Sequence, residues 1–110
     1  ILSMQTEVQD VHVEDKILEY VTSLAMATRK QELIRLGVSP RGALAVTRMA
    51  KAHAYMKGRD YAMPEDVQKV FREVCGHRII LSPKARIADR SAEDVLKQVL
   101  KETPSPDRGR

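Results

Sequence analysis

Aromatic residues are scarce in this sequence: three Tyr, one Phe and no Trp in 110 residues. The core must therefore be built from small aliphatic side chains, and few platforms exist for stacking nucleobases. Five Gly and five Pro leave little room for turn-rich β structure. The single Cys75 excludes an internal disulfide and points to a reducing, cytoplasmic setting. No apolar run approaches the roughly 20 residues that span a bilayer, and no charged-then-apolar leader opens the chain. It opens on Ile1 rather than Met, as a piece cut from something longer or a processed product would. A triphosphate-binding loop is also missing. Gly37 and Gly42 have the right spacing, but Ala43 and Leu44 follow where lysine and a magnesium-binding hydroxyl are required. Metal chemistry has little to work with, because Cys75 and His77 lie together while His12 and His53 are distant and no second spaced pair exists. Cys75 and His77 could in principle form a nucleophile and base, but packing at a helix end accounts for them more simply.

What is present is charge, and it is unevenly spread. Residues 1–19 carry five acids against one lysine, whereas residues 29–59 carry eight bases against one acid, Glu32. A cationic middle segment of this kind is a solvated helix face, a phosphate or nucleic-acid contact, or a surface for an acidic partner.

Apolar periodicity predicts an all-α chain of four to five helices. Ile17, Leu18, Val21, Leu24 and Ala25 form a helical stripe over Glu14–Ala27, after an extended Val11-His12-Val13. Thr28–Leu36 reads as a polar, basic loop or single turn. An alanine-rich helix runs from about Pro40 to Lys57 and is ended by Gly58. Arg59–Met63 is extended, and Pro64 starts a helix to about Val74 with Val67, Val70, Phe71 and Val74 inward. The sequence order of an extended segment, an acidic helix start and an apolar stripe occurs twice. Residues 11–13 and 61–63 are thus expected to pair as a tiny two-stranded parallel bridge. Ile79–Leu81 is a buried extended segment or the lead-in to a loop, and Ser82–Arg90 is the expected mobile loop. Ser91, with Asp94 in a capping-box position, starts a last helix with Val95, Leu96, Val99 and Leu100 inward. Ile1–Gln9 is expected to hold one or two helical turns, and residues 104–110 form a tail.

The stretch Gly37-Val38-Ser39-Pro40-Arg41 specifies chemistry as well as fold. Gly37 is free to take positive φ and end the preceding segment, Ser39 suits the helix cap and Pro40 the first helical position. Arg41 then stands on the first turn, where unpaired amides and the helix dipole already favour an anion, most naturally phosphate. Arg48 lies on the same face, about 10 Å further along at 1.5 Å per residue. An ordinary cap with a solvated arginine is the plainer account of the same residues.

Five motifs in order resemble the C-terminal lid domain of MoxR-type AAA+ ATPases. They are Ala27-Thr28-Arg29 at the end of the Tyr20-bearing helix, Gly37–Arg41, Gly58-Arg59-Asp60-Tyr61, Pro64-Glu65-Asp66-Val67 and His77-Arg78-Ile79. The resemblance covers about Val11 to Pro106. It implies a small helical lid over residues 11–103, with residues 1–10 the end of a connection from an N-terminal AAA+ core that holds the P-loop, ATP and Mg2+. It implies that Arg41 is the second sensor residue, catalytic through the γ-phosphate, with Ser39 and Pro40 beside it. Arg29 and Arg48 match positions often basic in the family, where subunit contact, core contact or salt bridging are all open. The fragment alone is then inactive. The family further implies a chaperone-like machine assembled as a homo-oligomeric ring, a hexamer, with a von Willebrand factor A domain protein as a partner. Met63 departs from the pattern, since a Thr or Ser able to cap the next helix often stands there; its absence is expected to cost about 1 kcal/mol. A stand-alone basic helical nucleic-acid-binding module is the competing reading. It draws on the cationic segment and on the histone-like look of Tyr61–Val67, against the few aromatics and the acidic flank.

Overall fold

A computed structural model describes Val8 and residues 10–106. The expected turns over Ile1–Gln9 therefore lie outside the described residues except at Val8, as does the tail beyond Pro106. The first helix, α1 (Asp15–Lys30), buries Ile17, Tyr20, Val21, Leu24, Ala25 and Thr28 along one stripe. It runs three residues past the apolar pattern because its last inward position is polar. Thr28 is fully buried, its Oγ1 donating to the Ala25 carbonyl at 2.6 Å and accepting from the Val38 amide at 2.9 Å. Both capacities of the hydroxyl are used, so its burial carries no unpaired-group penalty.

The segment expected to be a loop after α1 instead contains strand β1 (Ile34–Leu36). It pairs antiparallel with β2 (Ile80–Leu81), Ile34 opposite Leu81 and Leu36 opposite Ile80, through an irregular register. Only Ile34 is buried in β1, which is why no alternation marks it in the sequence.

Helices α2 (Pro40–Met56) and α3 (Pro64–Cys75) form the most extensive contact in the molecule. Gly42, Val46, Ala50 and Ala54 of α2 are buried at a spacing of four, a thin ridge that lets α3 approach with Val67, Val70, Phe71 and Cys75. Gly58 ends α2 at a φ of +78°, a conformation that glycine adopts without strain. The chain then meets the entering segment. His12 and Tyr61 form the expected parallel bridge, in which His12 N–H donates to the Asp60 carbonyl and Ala62 N–H to the His12 carbonyl, both at 2.8 Å.

Residues 82–90 are not a loop throughout. Ser82 caps a short helix α4 (Pro83–Ile87), its Oγ accepting from the Ala85 amide, and Ala85 is fully buried. The Ser-Pro start signal is the same as at Ser39-Pro40, but one inward residue makes no stripe. Helix α5 (Ala92–Glu102) has the expected capping box between Ser91 and Asp94 and buries Val95, Leu96 and Val99. All seventeen residues of the main core cluster draw on α1, β1, α2, α3, α5 and two connecting residues, Val38 and Ala62, around Phe71.

Cys75 closes α3 inside this core, and burial pushes its thiol up to about 12. His77 is exposed on the turn beyond. The thiolate is the reactive form, so a maleimide at about pH 8 should leave Cys75 unmodified in the native protein and label it rapidly in denaturant. Equal rates in both states would show that the end of α3 opens readily.

Candidate functional site

The turn that presents Arg41 is held by two consecutive residues of α1. Thr28 Oγ1 accepts from Val38 N–H at 2.9 Å, and Arg29 Nε donates to the Val38 carbonyl at 3.1 Å. Val38 itself is buried. Gly37 is required by space rather than by positive φ, which among the described glycines only Gly58 shows. A Cβ at position 37 would stand 2.8 Å from Thr28 Oγ1 and 2.9 Å from the Arg29 nitrogen, closer than real contacts allow. Ser39 Oγ then accepts from Gly42 N–H at 3.1 Å, Pro40 takes the first helical position, and Arg41 follows.

Arg41 is exposed, and no carboxylate among the described residues pairs with it. With Arg48 it lines a groove of about 560 Å³ between α2 and the end of α3, over an apolar floor that includes Leu44, Met49 and Val74. Arg78 reaches the same groove from the turn after α3, and Glu73 is the one acid lining it among the described residues. Arg29 is not part of this groove; its Nε is committed to the turn beneath it. A wider hollow of about 800 Å³ lies at the other end of the α2–α3 hairpin, beside Asp10, Arg59 and Asp60. Two acids and one arginine already tied to Asp66 make it a poor anion site.

At that far end the structure contains a polar cluster that sequence reasoning missed. Asp66 is completely buried. It accepts from Arg59 Nη1 at 2.7 Å and Nη2 at 2.8 Å, from Met63 N–H at 2.6 Å and from His53 Nδ1 at 2.6 Å. An ionised carboxylate only accepts, so His53 Nδ1 carries the proton. Burial would raise the Asp66 carboxyl, but the Arg59, His53 and Met63 hydrogen bonds outweigh it and hold the group below its ordinary range. Met63 gives no side-chain cap, as expected, yet the Met63 amide is satisfied by Asp66 from three residues on. The acid three residues into the helix is the signal that could have revealed this bond. Its burial had no local sign, since the helix dipole already accounts for acids in a first turn.

Among the described residues no group of three His, Cys, Asp or Glu could hold a metal, and no helix is long and apolar enough to cross a membrane. The family model of the AAA lid domain matches residues 26–99, from the end of α1 through most of α5. The chain belongs to the AAA lid domain family. This AAA lid is 35% identical over 94% of its length to the uncharacterised protein YeaC of Bacillus subtilis, of which it covers 32%. It is 31% identical over 96% of its length to the chaperone MoxR1 of Mycobacterium tuberculosis, of which it covers 30%. A crystal structure of a candidate ATPase from Cytophaga hutchinsonii superposes with a TM-score of 0.82 at 27% identity, over 96% of this chain and 34% of that one. The lid is thus of the MoxR type and spans about a third of the length of these relatives.

Proposed function

We propose that this lid reads the γ-phosphate of ATP through Arg41 and converts its loss into movement. The observation that carries the reading is an arginine on the first turn of a helix, exposed and without a carboxylate partner among the described residues, above a turn fixed by Thr28 and Arg29. AAA ATPases as a family use nucleotide and Mg2+. The lid's residues fit one edge of such a site and no more. Arg41 supplies a cation, Ser39 and Pro40 set the helix mouth, and the residues that hold the remaining phosphates and Mg2+ belong to a separate core. Arg41 gains contact energy only while the terminal phosphate is in reach, so the bound nucleotide biases lid position by that differential affinity. The complete machine is a chaperone-like ATPase of the cytoplasm, a homo-oligomeric ring of six in which Arg29 and Arg48 meet the core or a neighbouring subunit. A protein with a von Willebrand factor A domain is its partner.

The test is a distance. In the full-length ATPase carrying this lid, dyes on α5 and on the core should report different energy transfer with ADP and with a non-hydrolysable ATP analogue. Arg41→Ala should abolish that difference. Identical transfer in the two states, or a difference that survives the substitution, would overturn the reading.

A further inference from the structure

Arg78 enters the groove by a route that local sequence does not show. Its N–H donates to the Cys75 carbonyl at 2.9 Å, closing the turn that ends α3. The side chain then crosses to α2. A Cβ placed on Gly42 would meet Arg78 Cδ at 3.5 Å and Val38 Cγ1 at 2.9 Å, so the arginine stem lies against the turn that bears Arg41. Arg41, Arg48 and Arg78 line one hollow, and no carboxylate among the described residues pairs with any of them. Like charges gathered around a half-apolar groove repel one another, and Glu73 offsets only one of the three. The surplus of positive charge matches an anion of about two negative charges, such as a terminal phosphate.

Resting on the reading that Arg41 meets the γ-phosphate, we propose that Arg78 is a second phosphate-contacting residue. The two guanidiniums approach one phosphate from different elements, Arg41 from the start of α2 and Arg78 from the end of α3. A terminal phosphate offers three strong acceptor oxygens, enough for both forks. The contact ties the two ends of the hairpin together while ATP is bound and releases them when the phosphate leaves. Arg48, two turns along α2 from Arg41 at about 10 Å, adds its charge to the same groove from further along the helix.

Calorimetry on the full-length ATPase with Mg2+ separates this from a structural role, using ADP and an imido analogue of ATP as the two probes. Arg78→Ala should weaken the analogue about tenfold or more, the size of a lost charge-assisted hydrogen bond, and leave ADP within about twofold. Arg78→Lys should recover part of the loss, since it keeps the charge but not the fork. Equal weakening of both nucleotides, or none, while Arg41→Ala still discriminates between them, would overturn the role of Arg78 and leave that of Arg41 standing. Discrimination lost with Arg78→Ala but not with Arg41→Ala would do the reverse. A structural role at the C-terminus of α3 predicts a lower melting temperature for both Arg78→Ala and Arg78→Gln with no preference between nucleotides.

Discussion

Replacing Asp66 with alanine should destabilise the lid by about 3–5 kcal/mol, the range for breaking a buried ion pair from one side. That is a large part of the about 5–15 kcal/mol that holds a domain of this size together. The cost comes from what is left behind. Arg59 Nη2, His53 Nδ1 and the Met63 amide would lose this acceptor inside a site where the carboxylate has no exposed surface, and Arg59 Nη1 would keep only the Tyr61 carbonyl at 3.2 Å. Tyr61, whose ring centre is 5.8 Å from the Arg59 guanidinium, is too exposed to hold the cation alone. Urea melts of the variant should show the midpoint falling with an unchanged slope. Glu32→Ala is the internal control: its 2.9 Å bridge to Lys84 joins two well exposed side chains, screened by water and salt, so its midpoint should hardly move. A loss below about 1 kcal/mol for Asp66→Ala would mean that the cluster is no more than a surface pair.

The same carboxylate sets an acid limit. Its folded pKa lies below the ordinary value of about 3.9, so on acidification the unfolded chain takes up the proton first. The stabilisation is complete above that value and is lost as pH falls from it through the folded pKa. Asp66→Asn should be less stable at neutral pH and show a flatter decline below about pH 4.

Local signals make most of the helices legible in the sequence. Ser39-Pro40, Gly58, Pro64 and the Ser91–Asp94 box each act within one turn of themselves, and each marks an observed boundary. The elements that carry no such mark are those whose reason lies elsewhere in the chain. β1 and β2 are three and two residues long and exist because they pair with each other. Thr28 ends the α1 stripe as a core residue only because Val38 supplies a donor from ten positions on. Positive φ is what the neighbours of Gly37 suggest for it, whereas the constraint is the bulk of α1 against it. At the candidate site the same division holds. Arg41 can be placed from Ser39 and Pro40 alone, whereas Arg78 comes to the same groove from the turn after α3, across the hairpin, with no local mark.

Replacing Arg41 with alanine in the full-length ATPase should lower kcat by about 100- to 1,000-fold, the cost of removing one preorganised donor from a developing negative charge. The lid itself should be unaffected. Arg41 is exposed and without a partner carboxylate among the described residues, and substitutions at such positions usually move stability by less than about 0.5 kcal/mol. The turn beneath it is held by Thr28, Arg29 and Ser39, none of which depends on the guanidinium. Loss of turnover with an intact lid therefore isolates the phosphate contact from folding. Arg41→Lys should fall between the two, because the ammonium restores charge without a planar fork. KM should change less than kcat if the contact strengthens as the phosphoryl group departs, whereas KM alone should rise if the arginine holds ground-state ATP and the transition state equally well. Unchanged turnover in Arg41→Ala would remove the residue from catalysis and leave the helix start an ordinary cap.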